Sequence, residues 1–352
     1  MSLFAKIHGL LLDWYSCQGR TLPWRAKMGQ TPNPYHVYLS EVMLQQTTVT
    51  TVIPYFNRFI ERWPTLFDLA KAPLHDILVA WQGLGYYRRA HHLYQAAQQL
   101  AALPEWPGTV SALRQLAGVG EYTAAAVAAI AFQQPVVPVD GNIVRVMARL
   151  FGLASPPPLL KHQVQQQAQQ FAMLPQPGHF AQALMDLGAR VCRPHAPLCN
   201  HCPLQSLCQA YTQGTQTLWP TRAPKIPKPH RYGAAFIIMN PRGEILLRRR
   251  PNTGLLAGLM EVPGTEWSET PPSLPDFAQS WTVLSPSVRH TFSHFHLHLT
   301  LYQGGLSPFP SNQGEFWVKP LDLCDYPMPA VMKKVLAASE PLWYSLNNGE
   351  NI

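Results

Sequence analysis

From residue 3 to about residue 211, apolar positions recur at helical spacing with Gly and Pro as punctuation, and few stretches alternate as strands do. That part is expected to be all-helical. Within 34–58, Val37, Val42, Leu44 and Val49 provide an apolar surface and Pro54 limits or kinks the helix near its end, so Glu41 is expected on a long helix. Thr109 fits the N-cap of a helix over 110–116. Ala117-Gly118-Val119-Gly120 then turns the chain into an Ala-rich helix running to about 131, giving two helices joined by a tight glycine hairpin. Asp140-Gly141, just before an apolar-periodic run, is a start signal for a helix through Leu150.

Between 212 and 232 the pattern changes. Pro220, Pro224, Pro227 and Pro229 interleave with Arg222, Lys225, Lys228 and Arg231 without an acidic residue, which predicts an extended, semi-rigid linker. Beyond it, 234–239 and 245–250 have strand character around the turn Asn240-Pro241-Arg242-Gly243. Residues 294–302 also alternate, and 329–336 suit a terminal helix, so the second domain is expected to be α+β. The predicted division is a helical domain over 1–211, a linker over 212–231 and an α+β domain over 232–345. No repeat at solenoid periods and no long low-complexity tract occurs.

A chain of 352 residues is consistent with two cores. Lys plus Arg number 27 against 19 Asp plus Glu, a net charge of +8, and the pI is near 9.2. This favours a polyanionic partner, although charge alone does not choose nucleic acid over an anionic membrane. The brief apolar stretch Leu10 to Leu12 is soon interrupted by Asp13 and is no signal-peptide core, and no apolar run is long enough to span a bilayer. The expectation is a soluble intracellular monomer without membrane association, cytoplasmic and nucleoid-associated if bacterial, whose six cysteines stay reduced.

Four of those cysteines form a tight series, Cys192-x6-Cys199-x2-Cys202-x5-Cys208, close enough to surround one metal centre. Thiolates suit structural zinc or an iron–sulfur cluster, and the spacing leaves both open. Cys17 and Cys324 lie far away and are expected to be ordinary buried thiols. The hairpin Gly118-Val119-Gly120 lacks the third glycine and preceding strand of a dinucleotide-binding loop. Its backbone N–H groups suit a DNA phosphate, and a helix-to-helix turn without a ligand is an equal reading. Glu121 favours the turn unless its carboxylate points away.

Taken in order, Glu41-Val42-Met43-Leu44-Gln45-Gln46-Thr47, the glycine hairpin, Val139-Asp140-Gly141-Asn142 and the cysteine series resemble the helix-hairpin-helix glycosylases of the endonuclease III superfamily. Two features make the chain most similar to the adenine DNA glycosylase (MutY) branch. Tyr122 stands where bifunctional relatives carry a nucleophilic lysine, and Phe292-Ser293-His294 is similar to that branch's Phe-Ser-His loop. The similarity runs from Leu22-Pro23-Trp24-Arg25 to the final helix. Ala117 departs from the usual hairpin proline and Glu121 from a common basic residue, which bears on hairpin affinity.

The resemblance implies a helix-hairpin-helix glycosylase domain with a [4Fe–4S] cluster loop at 192–208, held by Cys192, Cys199, Cys202 and Cys208, plus a Nudix-like α+β domain. It implies a monofunctional glycosylase of base excision repair, acting on double-stranded DNA with adenine opposite 8-oxoguanine or guanine. Glu41 is then the general acid and base, Asp140 the stabiliser of oxocarbenium charge, with Tyr122 and Asn142 beside them. Trp24, Arg25, Leu44 and Asp186 match positions lining the adenine pocket, Gln46, Thr47 and Tyr86 positions that fill the duplex once the base is extruded, and Phe292, Ser293 and His294 positions contacting 8-oxoguanine. The Nudix hydrolase motif does not follow Val262-Pro263-Gly264, so nucleotide hydrolysis is not expected.

Taken singly, most of these residues have plainer explanations: a solvated helix face for Glu41, an N-cap for Asp140, packing for Tyr122 and Tyr86. His294, His296 and His298 alternate on one predicted strand face and offer a weaker metal-site alternative. Two other functions are weighed: a bifunctional glycosylase and lyase, against which Tyr122 argues, and a non-catalytic lesion-binding protein, against which Glu41 and Asp140 argue.

Overall fold

The helix expected over 34–58 breaks in two, and the break sets the shape of the site. Asn33 accepts the N–H groups of Tyr35 at 2.9 Å and His36 at 3.4 Å to start one helix, Pro34–Leu44, with Pro34 in its first turn. Gln46 then takes a left-handed φ of 59° and Thr48 caps a second helix, Val49–Arg62. Pro54 lies inside that second helix, which continues eight residues past it, so it does not end the helix. Glu41 stands on an eleven-residue helix one turn before the break.

The computed structural model describes residues 2–27, 29–221, 226–278, 281–304 and 314–347. Arg222, Pro224 and Lys225 of the expected linker lie outside the described residues. In chain order the helices are α1 (Leu3–Gln18), α2 (Pro34–Leu44), α3 (Val49–Arg62), α4 (Leu66–Lys71), α5 (Leu74–Ala80), α6 (Arg88–Ala101), α7 (Val110–Leu113), α8 (Glu121–Phe132), α9 (Gly141–Phe151), α10 (Leu159–Gln169), α11 (Pro177–Asp186), α12 (Gln209–Thr212) and α13 (Ala330–Asn347). The strands are β1 (His230–Ile238), β2 (Ile245–Arg249), β3 (Met260–Glu261), β4 (Thr282–Thr291), β5 (His296–Gly304) and β6 (Glu315–Val318). Among the described residues no helix is long and apolar enough to cross a membrane.

The chain divides into two compact units, 1–71 with 92–225 and 72–91 with 226–352. The first is helical. Leu11 of α1, Met147 of α9, Val164 of α10 and Leu184 of α11 are fully buried in one core, to which Phe171 and Phe180 add a stacked pair at 4.9 Å. Asp140 caps α9 as expected by accepting the Ile143 N–H at 2.7 Å, and Gly152 ends it at a left-handed φ of 65°. α7 ends earlier than expected, at Leu113, because tight turns carry the chain from there to Gly120.

Among the described residues the second unit holds two three-stranded sheets, ordered β1-β5-β4 and β3-β2-β6. β1 and β5 run parallel with His230 opposite His296, while β4 runs antiparallel to β5 with a bulge between Leu284 and Val288. Alternate β5 residues Leu297, Leu299 and Leu301 pack into one core with Val331, Met332 and Val335 of α13. His294 precedes β5, so it is not on the strand face expected of it; that face pairs His296 and His298 with His230, whose Nδ1 is 2.9 Å from His298 Nε2. Residues 72–91 join this unit through Gln82 Nε2, which donates to Tyr326 O at 3.1 Å, and the Tyr87 hydroxyl, which donates to Met328 O at 3.3 Å.

Candidate active site

In the first unit, α2, the break after it, the start of α8, the start of α9 and α11 surround a cleft of about 590 Å³. Nine residues singled out in the sequence line it: Trp24, Arg25, Glu41, Leu44, Gln46, Thr47, Tyr122, Asp140 and Asn142. Glu41 and Asp140, 99 positions apart, are thereby brought to one space.

Glu41 is 6% exposed. Burial pushes its carboxyl up to about 7; the nearby Asp140 charge adds to this, while a hydrogen bond from Tyr122 and the charge of Arg25 oppose it. The Tyr122 hydroxyl is in turn pushed well above its ordinary value, first by burial and then by Glu41 and Asp140. Asp140 has two N–H donors, Ile143 N at 2.7 Å and Asn142 Nδ2 at 2.9 Å, so its cap and its place in the cleft are compatible. Arg145 donates to Asn142 Oδ1 and to Gly188 O, each at 2.8 Å, and to Cys192 O at 2.8 Å. One guanidinium thus fixes the Asn142 amide and the start of the cysteine loop.

Asp186 does not line the cleft. It is fully buried behind Arg25, accepting Nη1 and Nη2 of that residue at 2.8 Å each, along with Nε of Arg20 at 2.7 Å and the Arg20 N–H at 2.8 Å. Arg20 and Gln182, which the sequence did not single out, do line the cleft. Gln182 is held by the Tyr15 hydroxyl at 3.2 Å and donates to Gly178 O at 3.3 Å. A usable signal existed for Gln182, which lies four residues before Asp186 on one helix face.

At the hairpin, Gly118 has φ 70°, and an added Cβ would meet the His92 side chain at 2.4 Å. Val119 is buried, and Gly120 begins α8 with no side-chain cap on the first-turn N–H groups. Glu121 does turn aside: its carboxylate accepts Gln165 Nε2 at 3.1 Å and faces Lys161 Nζ at 3.9 Å.

Cys192, Cys199, Cys202 and Cys208 line a second cavity of the same unit, with Arg149 Nη1 3.4 Å from Cys192 Sγ. Burial pushes the Cys202 thiol up to about 12, and the other three thiols act on it too. Among the described residues no three His, Cys, Asp or Glu side chains close on a point as ligands of a single ion do. Cys17 and Cys324 are exposed, not buried as expected.

In the second unit, the Phe292 N–H donates to Phe295 O at 2.9 Å, closing a turn that exposes Ser293 and His294. Phe292 stacks on Phe295 at 4.8 Å and lies 5.6 Å from Trp267, so its ring faces inward. Ser293 Oγ donates to the Tyr86 hydroxyl at 2.9 Å, joining positions 207 residues apart.

Residues 39–171 match the model of the HhH-GPD superfamily of base excision DNA repair proteins, and 234–338 match the NUDIX domain model. The chain is 35% identical to mouse adenine DNA glycosylase over 94% of itself and 77% of that protein. It is 31% identical to an adenine DNA glycosylase of Buchnera aphidicola (subsp. Baizongia pistaciae) over 97% of itself and 92% of that protein. Among solved structures it is similar to a thermostable thymine-DNA glycosylase, with a TM-score of 0.52 and 26% identity over 60% of this chain and 97% of the other.

Proposed function

The chain belongs to the adenine DNA glycosylase family, hydrolases of N-glycosyl bonds, and we propose that it acts on double-stranded DNA in which adenine stands opposite 8-oxoguanine or guanine. The observation that carries the mechanism is the burial of Glu41 beside Asp140 and Tyr122 in one cleft.

A carboxyl that titrates near 7 can hold a proton at neutral pH and release it to a leaving group. As the bond from C1′ to adenine N9 breaks, its electron pair leaves with the base and the Glu41 proton passes to an adenine ring nitrogen. Positive charge develops on the sugar, where Asp140 supplies a fixed negative charge oriented by its two N–H donors. Water adds to C1′ and gives its proton to the Glu41 carboxylate, which restores the acid and leaves an abasic site. Tyr122 carries no amine, so no Schiff base forms and strand cleavage is not part of the reaction. Trp24, Arg25 and Leu44 receive the extruded base, and Gln46, Thr47 and Tyr86 fill the space it leaves. Asp186 acts on the pocket through Arg25.

The excised base is undamaged, so selectivity comes from the base opposite, which we assign to Phe292, Ser293 and His294. Gly118, Val119 and Gly120 offer N–H groups to a phosphate, a role made easier by the turning aside of Glu121. The proposed division is a glycosylase domain over 1–211, a linker over 212–231 and a Nudix-like domain over 232–345, in a monomer of the cell interior.

Four thiols lining one cavity can supply the four thiolates of a [4Fe–4S] cluster, the group that the family resemblance implies. Bound by Cys192, Cys199, Cys202 and Cys208, such a cluster cross-links the loop and leaves bond cleavage to the cleft.

The test is a duplex with adenine opposite 8-oxoguanine, alongside guanine-paired and thymine-paired controls. Breaks at the mispaired adenine only after hot alkali are expected; breaks without alkali would indicate a lyase, and tight binding without breaks a lesion-binding protein.

A further inference from the structure

Tyr86 is a large residue in a conformation that does not suit it. Its φ is 48°, in the left-handed region, and it follows Gly83 at 100° and Gly85 at 70°. A bulky side chain there is strained unless the surroundings enforce it. Half of its surface is nevertheless exposed. Ring packing alone therefore does not account for its conformation.

The enforcing group is Arg89, which is 7% exposed. Its Nη2 donates to Leu84 O at 3.0 Å and to Gly85 O at 3.2 Å, and its backbone N–H donates to Tyr86 O at 2.9 Å. The guanidinium lies 5.6 Å from the centre of the Tyr86 ring and 5.2 Å from that of Trp81. Trp81 Nε1 closes the same turn by donating to Gly85 O at 3.0 Å. One planar cation therefore gathers the carbonyls of the turn and supports the aromatic ring that the turn presents. Lysine, a point charge with no rigid fork, cannot reproduce this. At the far side of that ring the hydroxyl accepts from Ser293, whose turn is anchored by the inward Phe292.

We propose that Arg89 is a positioning residue for discrimination of the opposing base: it presets Tyr86 so that Tyr86 and Ser293, joined through their hydroxyls, act as one reader. This rests on the assignment of opposing-base reading to the Ser293 loop. Ser293 does not act alone; its hydroxyl is oriented by a tyrosine that a buried arginine holds in place.

The experiment compares single-turnover adenine excision opposite 8-oxoguanine and opposite guanine for the full chain and for Arg89→Lys, Tyr86→Phe, Ser293→Ala and the double variant Tyr86→Phe with Ser293→Ala. Arg89→Lys is expected to lower the ratio of the two rates by roughly three- to tenfold, the value of a hydrogen bond. Tyr86→Phe and Ser293→Ala should each lower it, and the double variant no further than the larger single effect. A merely structural arginine would lower both rates together and leave the ratio unchanged, which would overturn the proposal, as would additive losses in the double variant. Should Arg89→Lys not fold, the cycle between the two exposed side chains decides alone. The ring resonances of Tyr86 in DNA-free protein, carrying ¹³C-tyrosine, should also move in Arg89→Lys; unmoved resonances would overturn the positioning role. A parent protein with no preference between the two substrates, yet with moving resonances, would instead sink the lesion-reading assignment.

Discussion

Arg25 grips Asp186 with both terminal guanidinium nitrogens, each at 2.8 Å, and Asp186 is fully buried. Burial alone would raise the Asp186 carboxyl, but the hydrogen bonds and charge of Arg25, followed by those of Arg20, hold it below the ordinary carboxylate range. Removing the charge leaves Arg25, whose side chain is 9% exposed, without its counter-ion. Asp186→Asn is therefore expected to cost about 3–5 kcal/mol, the usual penalty for breaking a buried pair from one side. Because the folded state lowers this pKa, its contribution is present above the unfolded value near ~3.9 and is lost as pH falls through the lower folded value. Urea melts of parent and variant from neutral to acid pH would measure both effects, and equal stabilities at pH 7 would refute the clamp.

Glu41 has the opposite sign. Its folded carboxyl titrates near 7 against an ordinary 4.5, so the folded state binds the proton more tightly than the unfolded chain does. Stability attributable to this group falls as pH rises from about 4.5 to about 7, by a total on the order of 3 kcal/mol. Glu41→Gln should flatten that decline and be the more stable protein at pH 8, while excising adenine ~10²–10⁴-fold more slowly, as expected for loss of general acid–base catalysis. In the parent, single-turnover excision should fall as pH rises through about 7. A variant that is less stable at pH 8, or a parent rate that increases through that range, would remove Glu41 from the acid role.

Such a group could be picked out from sequence only with help. The helical half, the α+β half, the capping of α9 by Asp140 and the glycine hairpin were all legible, because each follows from periodicity or from local capping and turn chemistry. The break between α2 and α3 was missed, although its signal is local: Gln46 is followed by Thr47-Thr48-Val49-Thr50-Thr51-Val52-Ile53, a β-branched run of poor helix formers that contains the N-cap Thr48. The convergence of Glu41, Tyr122 and Asp140 is a tertiary fact that spacing cannot give, and it entered through family resemblance. Asp186 illustrates the limit of resemblance too, since the resemblance puts it on the pocket lining and the structure places it behind Arg25, off the cleft. Arg20 and Arg145 were missed because most of their partners, the Asp186 carboxylate and the Gly188 and Cys192 carbonyls, are remote in sequence, Asn142 alone lying within a helical turn of Arg145.

The cysteine cavity predicts a composition. Protein purified without oxygen should contain iron and acid-labile sulfide in equal amounts, and Cys202→Ser should lose both. Arg145 ties Cys192 O to Asn142, so loosening the loop should also reduce excision at saturating enzyme and not DNA affinity alone. Zinc without sulfide in the parent would overturn the cluster assignment.

The hairpin allows a separate test of phosphate binding. Gly118 combines a φ of 70° with a Cβ position that overlaps the His92 side chain at 2.4 Å, so alanine there is both conformationally strained and sterically opposed. The left-handed region alone costs an L-residue roughly 1–2 kcal/mol, and the turn must also shift to clear His92. Gly118 stands outside the cleft that holds Glu41 and Asp140. Gly118→Ala is therefore expected to weaken duplex binding by about tenfold or more, on lesion and undamaged duplex alike, while the single-turnover rate at saturating protein stays near that of the parent. The loss should shrink at high salt, where phosphate contacts contribute less. Unchanged affinity would mean that the hairpin is a helix-to-helix turn without a ligand, and a reduced saturating rate with unchanged affinity would mean that its distortion reaches the cleft through α8.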